Sequence, residues 1–468
     1  MFKAIFTNSF GILFSRILGF LRDLLTASTL GASIYSDIFF IAFKLPNLFR
    51  RIFAEGAFTQ VFIPAFARST KKAVFSAHIF LVFISIILLL TLLVNLLPEL
   101  FTKAIAVGFS SQTIQIAAPY VAINFWYLSL VFAMTFLSGI LQYKNHFATT
   151  AYATALLNLS LIAALLFAQN KNESEIVYYM SYGVVLGGVL QLLVHIVAIK
   201  KLGLFKIAFG GFKYLKRKDQ TISKDTSKFK RKFFPAIWGN STAQVSAFLD
   251  TFLASFLVTG SISYLYYANR IFQLPLALFA IATSIALFPR VARYLKNNDE
   301  TQALANLKKA FWFLAYLLTF STLGGVILSH EITWLLFEHG AFDAQDTKNT
   351  SYVLMMYLLG LIPFGLQKLL VLWLYAKQMQ LSAAKIATVS LVTYIVFALT
   401  LIQPFDVAGL ALASTIGGFV SFILTIRVFG LQNFLVIIRS KNLIYLLVGT
   451  VLLTILLLIF KDFISVYI

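Results

Sequence analysis

Apolar runs of 18 to 25 residues recur from one end of the chain to the other, separated by short polar segments. A helix of that length crosses the ~30 Å hydrocarbon core of a bilayer, rising about 1.5 Å per residue. The pattern predicts thirteen helices, near residues 5–30, 37–65, 75–97, 116–141, 150–168, 177–198, 234–258, 263–288, 310–329, 351–375, 386–402, 408–426 and 442–460. A transmembrane barrel would read instead as alternating segments of roughly ten residues, a pattern the chain lacks. The expected fold is an all-α polytopic membrane protein.

Composition agrees and narrows the chemistry. Of 468 residues, 60% are hydrophobic and 12% charged, where soluble domains carry about 25% charged residues; the mean hydropathy is +0.87. With no cysteine, disulfide, iron–sulfur and thiolate chemistry are excluded. The first apolar run contains Arg16, Arg22 and Asp23 and has no short apolar core with a small-residue cleavage site, so it does not read as a cleaved leader.

The net charge of +21 resolves once it is mapped onto the segments between helices. Twenty-seven bases fall on one side, twelve of them in 199–233, and four (Lys103, Lys171, Lys348 and Lys461) on the other. By the positive-inside rule the basic side and the N-terminus are cytoplasmic and the C-terminus is outside. The excess charge is therefore a topology signal rather than a nucleic-acid footprint, with docking to anionic lipid headgroups as the alternative use of 199–233.

Ten charges are left inside the helices: Arg16, Arg22, Lys44, Arg50, Arg51, Arg270 and Lys368, against Asp23, Glu55 and Asp250. Each costs about 2.5–3.5 kcal/mol at a helix centre, so such groups pair or line a water-filled cavity. Arg16 and Asp23 are seven residues apart, and Lys44, Arg51 and Glu55 are spaced by seven and four. Each set shares a helical face, with Pro46 able to disturb the alignment at Lys44. Internal pairs such as Arg16–Asp23 and Arg51–Glu55 would neutralise some of them. Seven bases against three acids still leave a cationic interior, which suits an anionic ligand, and guanidinium groups suit phosphate in particular.

The two halves also echo one another. Phe43–Pro46 (FKLP) returns as Phe272–Pro275 (FQLP), and Pro64–Arg68 (PAFAR) as Pro289–Arg293 (PRVAR). Each half holds six helices, an even number, so the repeats run parallel, as in transporters that bind substrate between two halves. The charge is not repeated: Lys44 corresponds to Gln273, and the second half contributes chiefly Arg270. The organisation read from this is an N-terminal six-helix lobe (1–198), a basic cytoplasmic linker (199–233), a C-terminal six-helix lobe (234–428) and an extra C-terminal region (429–468).

SRILGFLRD (Ser15–Asp23), SDIFFIAFKLPNLFRRIFAEGAFTQVFIP (Ser36–Pro64) and YYANRIFQLP (Tyr266–Pro275) closely resemble the MurJ (MviN) family. These are bacterial lipid II flippases of the multidrug/oligosaccharidyl-lipid/polysaccharide exporter superfamily. The resemblance implies two lobes in a V shape around a central cationic cavity in the bacterial cytoplasmic (inner) membrane. It implies movement of lipid II from the cytoplasmic to the outer leaflet by alternating access. The family's functional positions carry over onto Arg16, Arg22, Asp37, Arg50, Arg51, Glu55 and Arg270. In that light Arg22, Arg50, Arg51 and Arg270 are expected to grip the pyrophosphate, with Arg16 and Lys44 supporting the field. Asp23, Asp37, Glu55 and Asn269 would pair or gate, and Asp250 is a candidate site for a coupling cation. Expected partners are lipid II, membrane lipids and cell-wall synthases, without nucleic acid, metal or cofactor, and the expected state is a monomer.

Two departures stand out. Family members commonly carry an acid where this chain has Asn269, and usually have fourteen helices, the last two forming a groove for the polyprenyl tail. The sequence shows one helix after the twelfth, or two. Other classes fit less well. A transferase acting on the same lipid would need clustered acids or a general base, whereas the five histidines are scattered and no HExxH motif occurs. An exporter of cationic drugs calls for an acidic cavity, and no nucleotide-binding GxxxxGK[ST] stretch is present. Export of another polyprenyl-linked glycan is the remaining alternative.

Overall fold

The computed structural model describes residues 2–50, 57–215 and 220–464. Helices make up nearly all of it: α1 (Phe2–Leu30), α2 (Ile34–Arg50), α3 (Ala57–Arg68), α4 (Lys72–Leu96), α5 (Pro98–Ile105), α6 (Ser111–Tyr143), α7 (Ala148–Phe167), α8 (Glu173–Lys201), α9 (Phe205–Phe209) and α10 (Gln220–Ala254). They continue as α11 (Ser261–Pro275), α12 (Ala282–Lys296), α13 (Glu300–Ile327), α14 (Ser329–Phe337), α15 (Ala344–Leu358), α16 (Leu361–Ala376), α17 (Gln380–Phe429), α18 (Leu431–Ile438) and α19 (Asn442–Ile464). No strand occurs among the described residues. Nine helical stretches among them are long and apolar enough to cross a membrane.

The expected count of thirteen helices is corrected, although the described residues of each expected segment fall mainly on helix. Some spans are cut by a break, and short helices occur between them. The expected helix 37–65 runs as α2, then through residues 51–56, which lie outside the described set, into α3. The expected helix 263–288 is α11 and α12 joined by a π-helical stretch, Leu276–Ile281, directly after Pro275. Proline removes a backbone donor, and a π-bulge absorbs the resulting misfit. α17 is two helices meeting at Asp406, whose φ of 52° and ψ of −136° turn the chain sharply. The short α5, α9, α14 and α18 lie in segments read as loops.

The chain divides into two compact units, Met1–Ile262 and Ser263–Ile468. In the first, α6 is the central helix, packed on α2, α4, α5 and α8, while α7 lies between α1 and α8. The bilayer offers no hydrophobic drive between helices, so close packing and small residues do the work. On α8, a Cβ at Gly187 would lie 2.8 Å from Leu157 Cα of α7, so only glycine lets these helices touch. Elsewhere rings fill the space. Phe58, Phe62 and Phe66 form an i, i+4, i+8 stripe on α3, and Phe58 meets Phe132 of α6 at 5.3 Å and Phe229 of α10 at 6.1 Å between centroids. Phe83 of α4 meets Phe233 at 4.9 Å. This cluster fastens the basic start of α10 to α3 and α4.

In the second unit α16 packs on α12, α13 and α17. α13 also holds the C-terminal region: Trp312 Nε1 donates to Ile437 O (2.9 Å), Tyr316 Oη to Asn442 O (2.9 Å) and Lys308 Nζ to Val436 O (2.7 Å). Beyond Phe429 the described residues form the short α18 and one long helix, α19.

The repeat extends to backbone geometry. Gly31 and Gly260, with φ of 58° and 91°, each stand fifteen residues before the repeated proline, Pro46 or Pro275. Both supply the left-handed turn from which α2 and α11 start.

Candidate functional site

Among the described residues, two of the sequence-selected charges, Arg22 and Asp23, pair where α1 meets α7. Gly11, Ser15 and Gly19 recur every four residues on α1, and a Cβ at Gly11 would lie 3.0 Å from that of Ala151. The close approach brings Asn158 of α7 against α1. Its Nδ2 donates to Ser15 O (3.0 Å), and its Oδ1 accepts from Arg22 Nη1 (3.0 Å). Arg22 Nε and Nη2 both donate to Asp23 Oδ1, at 3.0 and 2.6 Å. Arg22 and Asp23 are only 6% and 1% exposed, so this is a buried ion pair. Three guanidinium nitrogens are engaged, which satisfies a cation that cannot discharge by losing its proton.

The spacing had suggested Arg16 as a partner for Asp23. The structure pairs Asp23 with the adjacent Arg22 and leaves Arg16 exposed on α1.

Asp37 sits in the first turn of α2, where the helix dipole favours an anion. It is 2% exposed, and its Oδ2 accepts the backbone N–H of Gly260 at 2.8 Å. The carboxylate thereby fixes the turn between α10 and α11. Lys44 and Arg50 are half-buried, Arg50 in the last turn of α2 at the negative end of its dipole. Pro46 falls between them and deprives the carbonyl of Ala42 of its helical donor. Asp250 is half-buried on α10. Arg51 and Glu55 lie outside the described residues.

In the second unit α11 carries Asn269 and Arg270. Arg270 Nη2 donates to Tyr266 Oη (2.7 Å), and its guanidinium carbon lies 5.0 Å from the centre of that ring, a combined hydrogen bond and cation–π contact. Asn269, which stands where an acid was expected from the resemblance, accepts from Gln273 Nε2. Nearby on the same helix, Tyr264 Oη donates to Asp346 Oδ1 (3.1 Å). Among the described residues no group of three or more acids and histidines is placed to hold a metal ion.

Three contributors were missed in the sequence. Asn158 had a faint signal, a carboxamide inside the apolar run LLNLSL. Tyr266 had a clearer one, four residues before Arg270 and so on the same helical face. Gly260 acts through its backbone N–H, which has no signature in the sequence.

Comparison with known proteins matches residues 26–467 to the family described as "Lipid II flippase MurJ". A "Probable lipid II flippase MurJ" of Helicobacter pylori strain J99 is 52% identical over 422 residues, covering 88% of this chain and 92% of that protein. Among solved structures, "Lipid II flippase MurJ, inward closed conformation" superimposes with a TM-score of 0.79 at 27% identity, covering 97% of this chain and 98% of the other. A multidrug resistance MATE family transporter of the MOP superfamily, in an inward-facing conformation, gives a TM-score of 0.68 at 12% identity, covering 93% and 99%. That last likeness is one of fold alone.

Proposed function

The chain belongs to the lipid II flippase MurJ family, and from that membership we propose that it moves lipid II from the cytoplasmic to the outer leaflet of the bacterial inner membrane. Lipid II is the undecaprenyl-pyrophosphate-linked peptidoglycan precursor. The observation that carries the proposal is that family and fold agree over almost the whole chain. The cationic side chains on α1, α2 and α11 support it, because the substrate's polar end is a pyrophosphate.

In this reading the lobes 1–198 and 234–428, joined by 199–233 and followed by 429–468, enclose a cationic cavity in a V and alternate access to it. The N-terminus is cytoplasmic. Arg16, Lys44, Arg50, Arg51 and Arg270 supply donors to the pyrophosphate. Arg22 is already engaged by Asp23 and Asn158, so a phosphate reaches it only by displacing one of them. That exchange couples substrate arrival to the packing of α1 on α7. Asp37 and Glu55 gate, Asn269 orients the Arg270 region, and Asp250 is the position for a coupling cation.

An inside-negative potential drives an anion outward by about 2.3 kcal/mol per charge per 100 mV, so transport proceeds without nucleotide hydrolysis. The protein works as a monomer, with cell-wall synthases as neighbours. Reconstitution tests the core of this. Proteoliposomes holding a fluorescent lipid II analogue should expose the inner-leaflet pool to a membrane-impermeant quencher at a rate set by protein content. A rate equal to that of empty liposomes defeats the proposal.

A further inference from the structure

A groove of about 340 Å³ opens on the face of the first unit where α7 and α8 run side by side, lined by His146, Thr149, Tyr152, Ala153, Leu156 and Val194. Thr149, Tyr152, Ala153 and Leu156 follow the i, i+3, i+4, i+7 spacing of one helical face. From Thr149 to Leu156 the groove extends about 10 Å along α7. Tyr152 and Val194 are 37% and 41% exposed, so the apolar wall is open to whatever surrounds the protein at that level.

One end of the groove is polar and basic. His146 Nε2 lies 2.7 Å from Thr149 Oγ1 at its mouth. Lys144 is exposed in the preceding turn, its Nζ 5.7 Å from the ring centre of Tyr143. On α8, Val194, Val197 and Lys201 make a second i, i+3, i+7 stripe that ends in an exposed cation. Lysines so placed reach the headgroup level while their stems lie on apolar surface. No acid occurs between Leu141 and Leu156 or between Gln191 and Leu204.

We propose that this groove binds one anionic phospholipid of the cytoplasmic leaflet. An acyl chain lies along Tyr152, Leu156 and Val194, and the phosphate sits between His146, Lys144 and Lys201. The charge complementarity selects the occupant: a zwitterionic lipid would bring its own cation to a mouth that is already basic, whereas an anionic headgroup gains about 1 kcal/mol per nearby base. The leaflet assignment rests on the cytoplasmic placement of the basic turns proposed above; the lipid class does not.

The test is native mass spectrometry of the full-length protein in detergent, titrated with phosphatidylglycerol and phosphatidylcholine of matched acyl chains. Wild type should retain phosphatidylglycerol several-fold more strongly. Val194→Trp, which fills the groove from an exposed position, should lower phosphatidylglycerol retention to the phosphatidylcholine level, and Lys201→Gln, which removes one of the two lysines, should lower it part of the way there. Leu335→Trp, an exposed site in the second unit, should change nothing. Equal retention of both lipids, or full retention by Val194→Trp, overturns the proposal. So does preference for a polyprenyl phosphate, which would make the groove a prenyl-tail site. Because lipid retention is read without transport, the result stands apart from the fate of the flippase proposal.

Discussion

Replacing Asp23 by asparagine keeps the shape of the side chain and removes its charge. Arg22, only 6% exposed, would then lose this carboxylate while keeping its hydrogen bond to Asn158 Oδ1. Removing one member of a buried pair costs about 3–5 kcal/mol, because the remaining charge is left in a poor medium. At ~1.4 kcal/mol per tenfold change, the folding equilibrium should shift by roughly two to four powers of ten. Denaturation of purified protein by SDS in mixed micelles, followed by the fluorescence of the five tryptophans, measures this. The double variant Arg22→Met/Asp23→Leu replaces the pair with apolar groups of similar volume and should return to within about 1–2 kcal/mol of wild type. It should nonetheless fail to transport, because the displaceable arginine is gone. An Asp23→Asn variant as stable as wild type would refute the buried-pair reasoning. A transporting double variant would refute the role given to Arg22.

Three further outcomes follow from specific contacts. Asp37→Ala removes a charged acceptor worth about 1.5–3 kcal/mol, so the Gly260 amide should exchange with deuterium roughly 10- to 150-fold faster while amides in α6 are unaffected; unchanged exchange at Gly260 would contradict the contact. Gly187→Ala forces a Cβ into the α7 backbone and should cost about 1–3 kcal/mol of stability in the same micellar assay. Trp312→Phe removes the indole donor to Ile437 O and should let protease cut between α18 and α19 at lower concentrations than in wild type.

The spans were legible because the length of an apolar run is itself the physical requirement for crossing a bilayer. Pro275 marked where one of them is interrupted, but no local pattern encodes that the interruption takes the form of a π-helical stretch. α5, α9, α14 and α18 are five to nine residues long, too short for the run-length criterion, and so read as loops. At the site, Arg22, Asp23, Lys44, Arg50, Asp250 and Arg270 stood out by their cost in lipid and Asp37 only through the family resemblance, whereas their partners had no such signal. Asn158 is 136 residues from Arg22, and Gly260 is 223 from Asp37. Helical spacing pointed Asp23 at Arg16; the proximity of α7 and the reach of an arginine side chain gave it Arg22 instead.

Outward movement of lipid II can be read from the externally accessible pool of that lipid in cells depleted of this protein. An added enzyme that cleaves only exposed precursor reads the pool, with wild type, Arg22→Ala or Arg51→Ala supplied back. On depletion the exposed pool should collapse while total precursor rises, and only wild type should restore it. An exposed pool that stays unchanged on depletion would contradict outward movement of lipid II by this protein.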